Sequence, residues 1–339
     1  MKILVTGGCG FLGSHLVEHL LKNTNAQITI LDRLTYASSG FDRLRDIQVL
    51  HERDGWHARV RVLTTDLSAP IPDGVQREIG DIDYIIHAAA ETHVDNSIVD
   101  PMPFLQANVI GTHHLLWWAR TIPTLRRVFL VSTDEVYGPA SWDSPGNVET
   151  DPFRPANPYA AAKAGGEAVG MAYANTYKIP VTIVNTMNLY GERQHCEKFI
   201  PLVIRRVLLG EQVLIHADPT KTRSGTRFYL HCRNYASALL WLINYDRMAG
   251  SAPLKLHVSG EREISNLDLA QMIAGFVGLP LHYELVDFHS SRPGHDLRYA
   301  LDDTKIRGLG WQQPLNTQQS LERTVRWYLD DKNRRWLNL

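Results

Sequence analysis

The sequence lacks an excess of either charge. Its 35 lysines and arginines stand against 36 aspartates and glutamates, a net charge of -1. No basic field is present to meet a run of phosphates, so no nucleic-acid partner is expected and any anionic ligand has to be held by local groups. Cysteine is scarce: Cys9, Cys196 and Cys232 are an odd number without ligand spacing. That excludes a disulfide framework and points to a reducing compartment, the cytosol by default. No apolar run approaches the roughly 20 residues needed to span a bilayer, so no membrane association is expected. The opening MKILVTGGCG breaks at glycines where a secretory signal would continue, and it reads as a buried strand. Repeats, heptads and low-complexity tracts are missing too. What remains, 339 residues with 44% apolar content, is the profile of a globular protein with a large core, built as one large domain or two lobes.

Ile3 to Thr6 is a short apolar run, a glycine cluster follows, and Leu12, Leu16, Val17, Leu20 and Leu21 then recur at helical spacing to Lys22. Strand patterns return at Gln27 to Leu31, Val60 to Leu63, Ile82 to His87, Val128 to Val131 and Val181 to Val184. Alternation of this kind predicts an α/β fold, a Rossmann-type doubly wound parallel sheet, with a smaller α/β substrate-binding lobe. We place the sheet domain at 1–187, with 227–250 packing back on it through a helix from Asn234 to Tyr245. The lobe takes 188–226 and 251–339 and includes a helix from Lys198 to Leu209, an irregular stretch around Asp218 to Thr226, and a C-terminal helix with a basic last turn, Lys332 to Arg335.

Gly7, Gly10 and Gly13 form G-x-x-G-x-x-G between the first strand and the first helix, where missing side chains let backbone approach a pyrophosphate. The triplet alone could make only a tight turn. Its position after a first strand, and Asp32 at the end of the second, turn the reading toward a dinucleotide. A carboxylate there accepts hydrogen bonds from the adenosine ribose and repels a 2′-phosphate, which favours NAD over NADP. Arg33 beside it could accommodate that phosphate, or stand as a solvated surface arginine.

Tyr159 and Lys163 lie four apart in PYAAAKAGGEA, on one face of a predicted helix. A phenol of pKa about 10 is a poor base near neutrality, but a nearby ammonium and a positively charged nicotinamide both favour phenolate. An isolated Y-x-x-x-K is an ordinary surface pair; coupled to the glycine turn and Asp32 it becomes a candidate for proton removal during oxidation of an alcohol. Thr133, Asp134 and Glu135 sit at the carboxyl end of the strand Val128 to Val131, where open parallel sheets bind ligands. Two adjacent carboxyl groups can hold different protonation states and so supply the base and the acid that elimination of water requires. They could also merely cap the strand and turn.

The runs GGCGFLG, AAAETHVD, STDEVYG and YAAAK together resemble the extended short-chain dehydrogenase/reductase family. LDRLTYAS, AAETHVDNSI, NVIGT, NPYAAAKA, EKFIPLVI and RPGHDLRYALD narrow the resemblance to its nucleotide-sugar 4,6-dehydratases, above all those acting on thymidine-diphosphate glucose, over Lys2 to Leu329. The resemblance implies Tyr159 removing the O4 proton as NAD oxidises C4, Glu135 as base at C5, Asp134 as acid to the C6 hydroxyl, and return of the hydride to C6. Lys163 would hold the nicotinamide ribose and Thr133 the sugar near O4. Further cofactor contacts are implied for Phe11, Leu12, Leu34, Thr35, Asp66, Leu67, Ala88, Ala89, Ala90, Thr92, Val131 and Asn185. Substrate contacts are implied for His93, Asn188, Glu197, Lys198, Arg227, Arg292 and His295, and two arginines can clamp diphosphate oxygens. A 4-epimerase, a decarboxylase or a 5,6-dehydratase would share the first half-reaction, and a non-catalytic NAD-binding scaffold would share the fold.

The sequence departs from the thymidine-diphosphate enzymes in ADPTKTRSG, an apparent insertion before Arg227, and in Arg262 and Glu192, which replace a common asparagine and proline near the expected base pocket. His195 with Cys196 and His231 with Cys232 could form a tetrahedral set, but adjacent ligands do not fit the usual spacing, so no metal is expected. The stretch His113 to Trp118 reads as a helix face buried against another protomer; in the family this helix and the Tyr159 helix build a homodimer interface.

Overall fold

A computed structural model describes residues 1–35, 38–48, 55, 57–249, 254–287 and 297–339. Seven parallel strands form the central sheet. Six are β1 (Lys2–Thr6), β2 (Gln27–Asp32), β3 (Val60–Thr64), β4 (Tyr84–His87), β5 (Arg127–Thr133) and β6 (Val181–Thr186). The seventh, Lys255–Val258, pairs with β6, giving the order seventh, β6, β5, β4, β1, β2, β3. Parallel strands are covered on both faces and so read as continuous apolar runs: Ile3, Leu4 and Val5 of β1 are fully buried. Because β1 pairs with both β2 and β4, the strand order reverses there and opens a crevice at the strands' carboxyl ends.

The helix Phe11–Asn23 buries Leu16, Val17, Leu20 and Leu21 on one face of the sheet. Tyr235, Leu239, Leu242 and Ile243 of the helix Cys232–Ala249 join the same core. On the other face Leu115, Leu116 and Trp118 pack with Leu4, Ile85, Leu130 and Tyr173. The helix Pro158–Tyr177 starts where Asn157 accepts a hydrogen bond from the Ala160 amide, with Pro158 just inside. A smaller core gathers the helices Phe199–Leu209, Asn266–Val277 and Thr317–Leu329 against the parallel pair Val213–Ala217 and Tyr283–Asp287.

Three expectations are redrawn. Strand Lys255–Val258, with the short helix Thr304–Gly308 packed on it and Ile306 and Trp311 in the main core, belongs to the sheet domain rather than to the lobe. The C-terminal helix ends at Leu329, and Lys332 to Arg335 lie in a 3-10 segment, Asp331–Leu337, capped by Asp330. In the stretch His113 to Trp118 the residues Leu115, Leu116 and Trp118 fill this chain's own core, leaving Trp117 exposed. Asp218 organises the insertion as a turn, accepting from the amides of Thr222 and Arg223. Among the described residues no helix is long and apolar enough to cross a membrane.

At the start of β5, Arg127 donates to Asp246 at 2.6 Å, and Tyr84 donates to the other carboxylate oxygen at 3.3 Å, tying β4, β5 and the helix Cys232–Ala249 together. Removing one partner of a buried pair strands the other's charge. Asp246→Ala is therefore expected to cost about 3 to 5 kcal/mol in urea unfolding near neutral pH; a loss under about 1 kcal/mol would mean the pair behaves as a solvated one.

Candidate active site

The crevice is a cleft of about 430 Å³ that runs from the glycine turn to the end of β5 and on to the start of the helix Phe199–Leu209. Gly7 has φ +70°, and a Cβ on Gly13 would lie 2.0 Å from the Gly7 carbonyl oxygen. Only glycine permits this close turn. Gly10 precedes the helix Phe11–Asn23 with no side-chain cap, so the first-turn amides keep their donors for an anion. Asp32, buried beside them, accepts one backbone N–H on each oxygen, from Cys9 at 2.9 Å and Leu34 at 2.8 Å. Each oxygen keeps a further lone pair. Arg33 is engaged by two carboxylates, Asp66 at 3.1 Å and Glu91, which leaves it poorly placed to receive a 2′-phosphate. The residues present fit NAD: Asp32, the glycine turn, Val131 and Lys163 line one cleft and would hold it.

All five expected catalytic residues meet at one end of the cleft. Thr133 ends β5 and donates from Oγ1 to Asp134 Oδ1 at 2.9 Å. Asn157, the cap of the helix Pro158–Tyr177, donates to Glu135 Oε2 at 3.1 Å. The backbone of Tyr159 donates to Ser97 Oγ at 3.1 Å, and Lys163 donates to the Val131 carbonyl at 2.7 Å. Thr133, Asp134, Glu135, Tyr159 and Lys163 all line the cleft.

Burial sets the electrostatics. It pushes the Asp134 carboxyl up to about 6, and burial with the neighbouring Asp134 charge pushes Glu135 up to about 7. The coupled pair therefore still holds a proton between about pH 6 and about pH 7, where ordinary carboxyl groups are fully ionised. Burial presses the Lys163 ammonium down to about 8, opposed by the negative charge of Glu167. The Tyr159 phenol is held above its usual value by burial and by Glu135. Burial and the acid pair thus oppose phenolate formation at Tyr159, and the positive charge of a bound nicotinamide would favour it.

Of the other expected contacts, Phe11, Leu12, Thr35, Asp66, Leu67, Ala88, Ala89, Ala90, Thr92, His93, Asn188, Glu197 and Lys198 line the cleft. Glu197 lies 3.7 Å from His93 Nε2, 3.5 Å from His195 and 3.7 Å from Lys198. Leu34, Asn185 and Arg227 do not line it. Asn185 lies beneath the site, donating to the Thr133 carbonyl at 2.9 Å and to Glu167 at 2.6 Å. Arg227 donates to the carbonyls of Thr226 and Leu297, each at 2.7 Å, and packs over Tyr299. Arg292 and His295 fall outside the described residues. Glu192 faces His231 at 3.3 Å and Arg233 at 2.7 Å in the interior, not the cleft. Arg262 is exposed. Among the described residues no group of three or more His, Cys, Asp or Glu side chains is arranged to hold a metal. Sequence reasoning missed Asn108, whose side chain accepts from the Glu91 amide and donates to the Glu91 carbonyl, both at 3.0 Å, fixing the loop after β4. It comes from a π-helical turn, Gln106–Ile110, inside the helix that ends at Ala119.

Residues 4–324 match the family described as GDP-mannose 4,6 dehydratase. The chain belongs to that family. Within this dehydratase family, it is 34% identical to a dTDP-glucose 4,6-dehydratase of Haemophilus influenzae over 97% of this chain and 98% of the relative. Its fold matches the crystal structure of DesIV, a dTDP-glucose 4,6-dehydratase of Streptomyces venezuelae solved with NAD, at a TM-score of 0.82, 35% identity and 98% coverage of both chains. A Thermus thermophilus UDP-glucose 4-epimerase, also with NAD, reaches a TM-score of 0.83 at 26% identity, covering 98% of this chain and 100% of that one. Sheet architecture is therefore common to dehydratases and epimerases.

The raised carboxyl pair has a consequence for stability. Both groups bind protons more tightly in the folded chain than at their ordinary values of 3.8 and 4.5. Their ionisation therefore costs stability, growing from about pH 4, complete above about pH 7, and absent in more acid solution. An Asp134→Asn/Glu135→Gln variant is expected to melt above the wild type at about pH 8, with the gap closing below about pH 4. A wild type that melts higher at the alkaline end would show that the carboxylates are stabilised in the cleft instead.

Proposed function

We propose that the protein is an NAD-dependent nucleoside-diphosphate-hexose 4,6-dehydratase, converting a nucleotide-activated hexose to its 4-keto-6-deoxy derivative with loss of water. The observation that carries this reading is the buried Asp134 and half-buried Glu135 placed beside Tyr159 in one cleft. Membership of the family and similarity to dTDP-glucose 4,6-dehydratases support it, with a dTDP-hexose as substrate. When bound, NAD supplies the oxidation at C4 and the matching reduction at C6. Gly7, Gly10, Gly13, Asp32 and Lys163 would hold it.

Tyr159 takes the O4 proton as C4 becomes a ketone, and the ketone acidifies the C5 proton. Glu135, ionised and oriented by Asn157, accepts that proton and returns it to C5 when C6 is reduced. Asp134 delivers a proton to the departing C6 oxygen from Oδ2, the oxygen that has no hydrogen-bond partner among the described residues. Thr133 fixes Asp134 through Oδ1 and steadies the sugar. One proton shared by the pair near pH 7 suffices, provided it rests on Asp134 when the C5 proton leaves. Glu197, Lys198, His93 and Asn188 at the far end of the cleft would meet the nucleotide diphosphate. We infer work in a reducing compartment, the cytosol, where Cys9, Cys196 and Cys232 stay free thiols.

Incubation with dTDP-glucose should release a product with the alkali-induced absorbance of a keto sugar and no C6 hydroxyl; a product with C6 intact and C4 inverted would assign a 4-epimerase instead. Glu135→Gln should lower kcat roughly a hundredfold to ten-thousandfold while sparing NAD binding. In the wild type kcat should pass through a maximum between about pH 6 and about pH 7, where the pair holds one proton, and fall on either side.

We infer a homodimer as well. Val99 at 87% and Trp117 at 49% exposure, with Met102, Leu105, Ile110 and Tyr177, leave apolar side chains in water around the helices that carry Asn108 and Tyr159. Sedimentation should show two chains per particle, and Leu105→Glu/Trp117→Glu should give one. A monomeric wild type would overturn the inference.

A further inference from the structure

The helix carrying Tyr159 and Lys163 holds a third polar group one turn further on. Glu167 is 2% exposed. Its carboxylate pairs with Lys255 at 2.7 Å and accepts from Asn185 Nδ2 at 2.6 Å. The same amide donates to the Thr133 carbonyl at 2.9 Å, while Lys163 donates to the Val131 carbonyl at 2.7 Å. Carbonyls two residues apart on a strand point the same way. The helix is thus braced twice against the end of β5, directly by Lys163 and through Asn185 by Glu167.

The network returns to the other end of the same turn. The Lys255 ammonium lies 4.5 Å from the Tyr137 ring centroid, and Tyr137 shares a 2.6 Å hydrogen bond with His257 Nε2. Tyr137 closes the single 3-10 turn Asp134–Tyr137 that carries the carboxyl pair. Lys255 and His257 are two apart on the seventh strand and reach the turn from one face. Thr133 is therefore held from below and Tyr137 from the side by one buried charge pair and its hydrogen-bonding neighbours.

Two ions this deep are a costly way to fill space, since apolar side chains of equal volume are commonly as stable or more stable. What the ions add is direction: a carboxylate and an ammonium fix where their neighbours' donors and acceptors point, which leucine cannot. We propose that Glu167 and Lys255 are positioning residues that hold the Thr133–Tyr137 turn, and with it the carboxyl groups of Asp134 and Glu135, in register for the elimination. The proposal rests on the dehydratase reading. It also gives a purpose to the seventh strand, which adds Lys255 and His257 to a sheet whose other strands already build the cleft.

The test compares the wild type, Glu167→Gln and a Glu167→Leu/Lys255→Met double variant, all saturated with NAD. The double variant leaves no stranded charge and is expected to fold. In both variants amide hydrogen exchange at residues 134–137 should quicken while exchange in β1 to β4 stays as in the wild type. NAD affinity and KM for dTDP-glucose should stay within about twofold, and kcat should fall roughly tenfold to a hundredfold. If Glu167→Gln proves too unstable to purify, the double variant decides alone. Full kcat in the double variant, or exchange that quickens uniformly across the sheet, would reduce the pair to a structural one and overturn the proposal. A wild type that does not dehydrate any nucleotide sugar would sink the functional reading instead, and the exchange at 134–137 would still decide whether the brace exists.

Discussion

Two carboxyl groups packed side by side in a desolvated cleft repel each other and resist ionisation, and most of what surrounds the end of β5 follows from holding them there. Left to itself, a two-acid turn would swing toward water. Asp134 is instead tied to Thr133 and Glu135 to Asn157. Their backbone is pinned by a strand whose last carbonyl is itself held by Asn185. The same burial that raises both groups places one proton near neutrality, where an acid and a base are needed together. A looser, wetter site would return both groups to ordinary carboxylates and lose the acid.

Keeping strain of this kind requires rigidity elsewhere, and the molecule obtains it from buried ion pairs that join segments far apart in the chain. Arg127 with Asp246 locks the start of β5, away from the cleft, to the helix Cys232–Ala249 packed on one face of the sheet. Glu192, with His231 and Arg233, locks the crossing into the lobe, and Arg193 reaches Glu18 on the first helix at 2.9 Å. Glu192 is fully buried there, facing His231 at the end of a short strand and Arg233 in the first turn of the helix that follows.

Some of the site could be read from spacing alone, because the physics is local. Gly7, Gly10 and Gly13 are required by a turn of seven residues, and Tyr159 and Lys163 share a face because a helix repeats every 3.6 residues. Asp32 needs only the end of the next strand. Asn108, Asn157 and Glu167 gave no such signal, since their partners Glu91, Glu135 and Asn185 lie 17, 22 and 18 residues away and meet them only once the sheet order is known. The four-residue strand Lys255–Val258 was misplaced for the same reason. KLHV has no feature that distinguishes an edge strand of the large sheet from a strand of the lobe. Asn185 shows a subtler failure: resemblance put it at the cofactor, whereas pairing of β6 with β5 places its amide under the Thr133 carbonyl.

The fold itself does not choose the reaction, since a 4-epimerase and a 4,6-dehydratase superpose on this chain equally well. Oxidation at C4 needs the cofactor, Tyr159 and Lys163, all of which an epimerase also requires. What commits the ketone to lose water is whether a base faces C5 and an acid faces O6 before the ketone is reduced again. In the proposed mechanism that competition falls to the few residues from Thr133 to Tyr137. A turn so short cannot hold its own geometry against two repelling carboxylates, so its specificity has to be imported from the strand beneath it and the helix beside it. Divergence of function on this scaffold is then a matter of one turn and the polar network that holds it still, while the sheet and the cofactor cleft remain unchanged.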